Sequence, residues 1–251
     1  MMRHLFSPEG DAALRALARR QPLFAFDFDG TLAPIVPRPD DARVSAALSR
    51  RLAQLAASHP VAVITGRAVA DVLPRLGFEP GYVIGSHGAE DPAVAPRAGV
   101  VDALDAMRRQ LAATRPALEV AGVQLEDKGS SLALHYRLAR DRDAAQAVIA
   151  AQLERLDPRL RSFGGKCVAN LVAADAPDKA DALFALVERS RSDSALFAGD
   201  DVNDEAVFER APPHWLTLRI GRDDRASQAR FFLDSPAEMA QLLGRVLALL
   251  R

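Results

Sequence analysis

The segment at residues 24–32 constrains the fold more than any other, because it joins a short aromatic-rich apolar run to two aspartates and a glycine. Such a run is typical of a strand buried in a parallel sheet, and open α/β sheets hold ligands beyond the carboxyl ends of their strands. The segment therefore predicts an α/β protein and places Asp27 and Asp29 at the functional edge of its sheet. Gly30 loosens the chain after the strand, so the two carboxylates can take different roles.

The two aspartates suit phosphoryl transfer. An aspartate carboxylate can attack phosphorus and form an aspartyl-phosphate, while a second carboxylate serves first as general acid and then as base. Two anions would repel a phosphate unless a cation were present, and Mg²⁺ prefers carboxylate oxygens together with substrate phosphate. The competing interpretation is a turn whose aspartates only solvate the loop, because Asp and Gly are ordinary turn residues.

Two further apolar runs end in polar clusters. The run at residues 60–64 precedes Thr65, whose hydroxyl could hydrogen-bond a phosphoryl oxygen. A third run precedes the acidic group at residues 199–205, which would repel itself at a strand end without a cation. This pattern predicts Asp200 and Asp204 as metal partners.

The spacing of the clusters predicts an inserted domain. Lys179 begins a helical pattern and offers an ammonium that could neutralise a phosphate. Thr65 follows Asp27 by 38 positions, which suits one crossover helix, but Lys179 follows Thr65 by 114 positions, far more than one βαβ unit requires. We therefore expect a catalytic core at residues 1–99 and 174–251 and a second, smaller domain at residues 100–173.

The insertion has the pattern of a small α+β domain in the order α-β-β-α-β-β. Its borders, residues 92–99 and 173–178, are rich in Pro, Gly, Ala and Asp and predict linkers. Such a domain could close over the core as a cap and exclude water. The predicted elements are helices at residues 100–114 and 143–156 and strands at residues 122–126, 131–137, 159–163 and 166–172.

Taken together, the D-x-D-G-T-L element at residues 27–32, Thr65, Lys179 and the G-D-D-x-N-D element at residues 199–204 resemble the haloacid dehalogenase superfamily. The resemblance implies a Rossmann-like parallel-sheet core with a cap. It also implies Asp27 as nucleophile, Asp29 as acid and base, and Thr65 and Lys179 as phosphate ligands. The implied Mg²⁺ ligands are Asp27, Asp200 and the Asp29 backbone carbonyl, and Asp204 and Asp201 are implied as supporting or alternative ligands.

Further motifs, most of them in the predicted cap, make the resemblance more specific. The E-x-K-x-x-S and H-Y-R elements within residues 126–137, the G-x-H-G-x-E element at residues 85–90 and the G-K-x-V strand at residues 165–168 are similar to the signatures of trehalose-6-phosphate phosphatases. That resemblance implies substrate-binding roles for Glu126, Lys128 and Arg137 in the cap and for Arg67 and His87 on the core side. Alternatively, Glu126 and Lys128 form an ion pair on a solvated sheet surface, His135 packs at the cap base, and His87 only shapes a loop.

Two positions depart from the family pattern. Asn170 stands where the family usually carries a glutamate that contacts the disaccharide. An amide still accepts and donates hydrogen bonds, so we keep Asn170 as a substrate-binding residue although the negative charge is gone. The loop at residues 173–180 lacks the family's P-x-G-x-x-K-G pattern but retains Lys179.

Composition bounds the remaining possibilities. The net charge of −1 over 251 residues gives no basic field for nucleic acid or an anionic membrane. Cys167 is the only cysteine, so an internal disulfide is excluded, and we expect a buried thiol in a strand. With no signal-like N-terminus and no membrane-spanning run, the sequence predicts a cytoplasmic monomer.

The leading hypothesis is a Mg²⁺-dependent phosphatase that hydrolyses trehalose 6-phosphate in trehalose biosynthesis. The nearest alternative, motivated by Asn170, keeps the chemistry and changes the sugar phosphate. A phosphate-binding module without catalysis is the alternative from a different class, and the intact Asp27 and Asp29 argue against it.

Overall fold

The computed structural model describes residues 2–95, 98–165, 167–221 and 226–250. Its strands are β1 (Arg3–His4), β2 (Pro22–Phe26), β3 (Val61–Ile64), β4 (Tyr82–Ile84), β5 (Gln124–Asp127), β6 (Leu132–His135), β7 (Leu160–Gly165), β8 (Val168–Ala173), β9 (Ser194–Gly199), β10 (Leu216–Ile220) and β11 (Phe231–Leu233). Its helices are α1 (Pro8–Ala18), α2 (Ala46–Ala56), α3 (Val69–Leu76), α4 (Ala98–Ala113), α5 (Arg115–Val120), α6 (Arg142–Leu153), α7 (Lys179–Arg189), α8 (Glu205–Arg210) and α9 (Met239–Leu249).

The chain forms two compact units. One comprises Met1–Gly88 with Pro177–Arg251, and the other comprises Ala89–Ala176. The first division lies eleven residues before the expected boundary at residue 99, and the second lies three residues after the expected boundary at residue 173. The role of the second unit as a substrate-binding cap stays a prediction, and of the expected linker at residues 92–99, Pro96 and Arg97 lie outside the described residues.

The first unit is built on a parallel sheet, which confirms the α/β fold. Among the described residues the sheet has seven strands in the order β1-β11-β10-β9-β2-β3-β4, and every pair is parallel. The strand that leads to Asp27, β2, lies at the centre between β9 and β3, and all residues of these three strands are buried. Continuous burial is expected where helices cover both faces of a parallel sheet.

Alternating side chains of the central strands divide the core in two. Phe24 and Phe26 belong to one buried cluster, which also contains residues of α1, α2, α3 and α9. Leu23 and Ala25 belong to a second cluster, to which α7 and α8 contribute. Since successive side chains of a strand point to opposite faces, the two clusters are the two faces of the sheet.

The second unit has an antiparallel sheet in the order β5-β6-β8-β7. Leu132, Leu134 and Leu171 share a buried cluster with residues of α4, α5 and α6, so one face of the sheet packs on helices. The four predicted strands and two predicted helices are confirmed. The extra helix α5 was missed because Pro116 interrupts the pattern, although proline is well tolerated in the first turn of a helix.

The expectation for Cys167 was wrong. Cys167 lies in the turn between β7 and β8 with φ of 61°, and it is only partly buried. Lys166 of the predicted G-K-x-V strand lies outside the described residues. In the part of the chain that the structure describes, no helix combines the length and apolar character needed to cross a bilayer.

Candidate active site

The turn after β2 brings Asp27 to the sheet edge and leads the chain away from it. The Asp27 amide still donates to the Ala198 carbonyl of β9, 2.9 Å away, so this residue keeps the register of the sheet. Gly30 then adopts φ of 78°, and a Cβ atom at this position would collide with the Asp200 carboxylate. Glycine is therefore required both by the left-handed backbone and by the close approach of Asp200.

Lys179 is the first residue of α7 and is buried with two carboxylates. Asp178 caps the helix reciprocally with Asp181, which fixes where the helix begins. The Lys179 Nζ donates to Asp27 Oδ1 at 2.9 Å and to Asp204 Oδ1 at 2.7 Å. Burial opposes a charged lysine, but the charges of Asp204 and Asp27 outweigh it and raise the Lys179 pKa. The lysine is therefore held as an ammonium.

The surroundings of the Asp27 carboxyl disfavour its charged form, in contrast to those of Lys179. Burial, and after it repulsion from Asp204 and Asp200, raises the Asp27 pKa well above its usual range, although Lys179 works against the rise. A single ammonium does not offset the charges of three neighbouring carboxylates. This site therefore favours a further cation when Asp27 is ionised.

The three carboxylates have a geometry that suits a metal ion. Asp27, Asp200 and Asp204 each offer one oxygen, and these oxygens lie within 4.8 Å of one another. Such hard oxygen ligands fit Mg²⁺, which commonly binds one or two carboxylates and keeps several waters. The approach of Asp204 depends on Gly199, because a Cβ atom there would collide with the Asp204 side chain. Among the residues that the structure describes, the Asp29 side chain does not belong to this cluster, and the predicted role of the Asp29 carbonyl stays a prediction.

The loops after β3 and β4 meet at the same edge of the sheet. Thr65 is fully buried and its Oγ1 accepts from the Arg67 amide at 3.2 Å. The Thr65 carbonyl accepts from the His87 amide at 2.9 Å, and a Cβ atom at Gly66 would collide with the His87 ring. His87 itself has φ of 58°. The two predicted core elements therefore form one hydrogen-bonded pair of loops.

Asp29 has different surroundings from Asp27. Its Oδ2 accepts from Arg67 Nε at 2.7 Å and its Oδ1 accepts from Arg67 Nη2 at 2.8 Å. The same guanidinium donates through Nη1 to Asp71 Oδ2 at 2.8 Å. Burial opposes the charge of Arg67, but these hydrogen bonds outweigh it and raise the Arg67 pKa. Asp29 is thus held by a bidentate arginine fork, the strongest common form of ion pair.

Sequence reasoning missed Asp71 and Arg75, which support this arginine. They lie four residues apart on α3, so they share a helix face, and Arg75 donates to Asp71 and to Asp40. The signal was present as the regular spacing of residues 67, 71 and 75, with alternating charge.

Within the second unit, the predicted sugar-binding residues occupy the small sheet. Register pairs Glu126 with Ala133 and Ala133 with Asn170, so Glu126 and Asn170 lie in one row. Glu126 Oε2 lies 2.7 Å from His135 Nε2 and 3.8 Å from Lys128 Nζ.

Two other predicted residues of this unit have contrasting environments. Asn170 is buried, and its Nδ2 has no hydrogen-bond partner among the residues that the structure describes. Arg137 lies in an exposed turn after β6. The row of residues and the buried amide are compatible with hydroxyl binding, and the individual roles stay predictions.

Comparison with known proteins gives a consistent result. A family model described as trehalose-phosphatase matches residues 25–237. Relatives named trehalose-phosphate phosphatase from Mycobacterium marinum and Mycobacterium tuberculosis are 34% and 36% identical over 254 and 257 residues. The matches cover 93% and 94% of this chain, which spans less than two thirds of the relatives' length, at 65% and 63%.

Solved structures support the fold. The C-terminal domain of a C. albicans trehalose-6-phosphate phosphatase has a TM-score of 0.73 at 21% identity, with 99% of this chain and 98% of that domain covered. A haloacid dehalogenase-like hydrolase from B. subtilis has a TM-score of 0.62 at 18% identity, with coverages of 88% and 98%. The fold is therefore haloacid dehalogenase-like. Because the family model extends over most of the sequence, the chain belongs to the trehalose-phosphatase family.

Proposed function

We propose that this chain is a magnesium-dependent phosphatase that hydrolyses trehalose 6-phosphate to trehalose and phosphate in trehalose biosynthesis. The observation that carries the proposal is the placement of Asp27, buried at the end of β2 and hydrogen-bonded to Lys179. The names of the curated relatives support the choice of substrate. The cap roles of Glu126, Lys128, Arg137 and Asn170, and the substrate role of His87, belong to this proposal. The predicted substrate role of Arg67 is not kept in it, because the Arg67 guanidinium is occupied by Asp29 and Asp71.

The reaction proceeds in two displacements. An Asp27 carboxylate oxygen attacks phosphorus while the bond from phosphorus to the sugar oxygen breaks. Asp29, which takes up a proton and releases one oxygen from Arg67 before this step, gives that proton to the departing oxygen. Asp29, now a carboxylate, takes a proton from water as that water attacks phosphorus and the bond from phosphorus to the Asp27 oxygen breaks. Phosphate leaves and both aspartates return to their starting states.

Positive charge accompanies both displacements. Lys179 and the Thr65 hydroxyl stabilise the negative charge of the transferring phosphoryl group. Mg²⁺ held by Asp27, Asp200 and Asp204 would supply charge that offsets their mutual repulsion and that of the phosphoryl oxygens. The ammonium also keeps Asp27 in place, because it bridges that carboxylate to Asp204.

Phosphate release with Mg²⁺ tests the proposal. Trehalose 6-phosphate is compared with glucose 6-phosphate, sucrose 6-phosphate and an aryl phosphate at matched concentrations, with a chelator as control. We expect preference for trehalose 6-phosphate and loss of turnover after metal removal. Absence of release from every compound would overturn the proposal and favour a phosphate-binding module.

A second candidate keeps the mechanism and changes the sugar. Asn170 places a neutral, hydrogen-bond-donating amide where the family usually has a carboxylate, and its Nδ2 is buried without a partner in the described part of the chain. A site with unpaired polar groups selects strongly for a ligand that pairs them. Better turnover of another sugar phosphate in the same assay would favour this candidate.

A further inference from the structure

A ladder of alternating charges extends from Asp29 across the surface of the first unit. Arg67 binds Asp29 with two hydrogen bonds and Asp71 with one. Arg75 donates through Nε to the second oxygen of Asp71 at 3.2 Å and through Nη2 to Asp40 Oδ1 at 3.0 Å. The ladder therefore alternates carboxylate and guanidinium over five side chains.

Arg67 is engaged at almost every donor. Its Nη2 also donates to the Pro39 carbonyl at 3.0 Å, and the guanidinium lies 5.2 Å from the centroid of the Phe28 ring. The side chain is only 13% exposed. An arginine fixed in this way presents a rigid planar fork, which a lysine or a mobile arginine could not provide.

Asp71 binds Arg67 through Nη1, whereas Asp29 binds it through Nε and Nη2. Each carboxylate oxygen of Asp71 accepts from a different arginine, Oδ2 from Arg67 and Oδ1 from Arg75. Burial would raise the Asp71 pKa, but the hydrogen bonds from Arg75 and Arg67 outweigh it and lower the pKa. Arg75 in turn is only 9% exposed and is tied to the turn at Pro39–Asp41 through the Asp40 carbonyl at 2.6 Å. The helix face of α3 thus forms a fixed support.

We propose that Asp71 and Arg75 are positioning residues, which fix the Arg67 fork and through it the orientation of the Asp29 carboxylate. The proposal rests on the proposed function in one respect, since it takes Asp29 to be the acid and base of the reaction. It assigns Arg67 to the support of Asp29 rather than to the sugar. Loosening the ladder should therefore slow the chemical step and leave substrate binding nearly unchanged.

Kinetics of Asp71→Asn provide the first test. The chain contains a matched control in its second unit, where Arg108 binds both Asp127 and Asp105, the latter at 2.6 Å and three residues away on the same helix. We expect Asp71→Asn to lower kcat roughly ten- to hundredfold with KM changed less than about twofold, since small misplacement of a catalytic group has effects of this size. Asp105→Asn should leave both constants unchanged.

The division between kcat and KM discriminates between roles. If Arg67 binds the sugar, Asp71→Asn should raise KM at constant kcat, and that result would overturn the proposal. Unchanged constants in Asp71→Asn would also overturn it. Asp71→Glu keeps the negative charge and should recover part of the lost kcat. If Asp71 had a purely structural role, kcat would instead follow thermal stability across the variants.

A measurement independent of catalysis separates this inference from the proposed function. Urea midpoints are measured for Asp29→Asn, Arg67→Met and the double variant, each with Asp71 intact and with Asp71→Asn. The midpoint shift of the double variant should differ from the sum of the two single shifts, and this difference measures the coupling between Asp29 and Arg67. We expect the difference to fall by at least about half when Asp71 is replaced by Asn, because an Arg67 side chain that is held less firmly interacts less strongly with Asp29. An equal difference in both backgrounds would overturn the positioning role, even in a chain without phosphatase activity.

Discussion

Asp27 and Asp29 are the same residue type two positions apart, yet their environments differ in almost every respect. Asp27 is 4% exposed and shares a buried ammonium with Asp204. The Asp29 side chain is 38% exposed and is held by Arg67 at the edge of a charge ladder. Pairs of carboxylates placed in contrasting environments are how proteins obtain two chemical roles from one residue type.

The backbone explains how the difference arises. Asp27 is still hydrogen-bonded to β9, so the sheet fixes its position. Asp29 follows only two residues later, but there the chain already turns, and the Gly30 amide donates to the Ala33 carbonyl at 2.8 Å. One carboxylate is therefore fixed by the sheet, whereas the other depends on a side-chain partner. Four predictions test this contrast.

The largest effect is expected at the buried carboxylate. Asp27→Asn should lower kcat by at least about 10⁴-fold, because removal of a nucleophile eliminates the first displacement. The fold should persist, since Lys179 retains Asp204. Phosphate release and urea unfolding measure the two effects. Turnover within tenfold of the unsubstituted protein would contradict the nucleophile assignment.

At the partner carboxylate, Asp29→Asn should lower sugar-phosphate turnover by about 10²–10⁴-fold, the usual range for general acid and base catalysis. With 4-nitrophenyl phosphate, whose leaving group needs no proton, the first displacement should survive. Rapid mixing should then give a nitrophenolate burst close to one equivalent of protein. A burst lost as severely as steady-state turnover would argue against the acid role.

The Lys179→Met substitution tests how much the buried ammonium contributes to the free energy of unfolding. It leaves the Asp27 and Asp204 carboxylates buried without their cation, so we expect a loss of about 3–5 kcal/mol in the free energy of unfolding. Arg115→Met is the control, because Arg115 pairs with Glu119 on an exposed helix face and should contribute less than about 1 kcal/mol. Urea unfolding without added metal measures both. Equal losses would contradict the distinction between the buried and exposed pairs.

The smallest expected effect is a pH dependence of stability that arises from Asp71, which is hydrogen-bonded to the arginine that holds Asp29. The folded-state pKa of Asp71 is lowered because its hydrogen bonds to Arg75 and Arg67 outweigh burial, so its contribution to stability is present above the unfolded pKa near 3.9 and is lost as pH falls through the folded pKa. Because this carboxyl is 36% exposed, solvent screening limits the contribution to about 1 kcal/mol or less.

Unfolding at a series of acidic pH values tests this linkage. The unsubstituted chain should lose stability more steeply below about pH 4 than Asp71→Asn, which cannot gain the proton. Parallel curves for the two proteins would indicate that the ladder contributes no linked stability.

The sequence predicted the part of the site that follows from sheet geometry. Parallel strands align their carboxyl ends, so the apolar runs before Asp27, Thr65 and Asp200 were enough to expect these residues at one edge. The partnership of Arg67 with Asp29 could not be predicted, because it depends on which rotamer a long side chain adopts among several acceptors. The resemblance alone assigned Arg67 to the substrate.

Local backbone features were harder still. The turn at Cys167 has a positive φ at a residue that is not glycine, so no residue type signalled it. Helix α5 has a proline, Pro116, in its first turn, and a proline within an apolar pattern is usually taken as the end of a helix. Strand β6 was nonetheless predictable, because Leu132 and Leu134 are two residues apart and share the buried face of the small sheet.

The strand order has a consequence for protein synthesis. The neighbours of β2 in the sheet are β3, which follows soon after it, and β9, which begins only at Ser194. A nascent chain that has emerged from the ribosome only to residue 190 therefore has one edge of β2 unpaired and Lys179 without Asp204. Since long-range strand pairing is a slow step, the first unit completes its centre late in translation, after the whole of the second unit has been made.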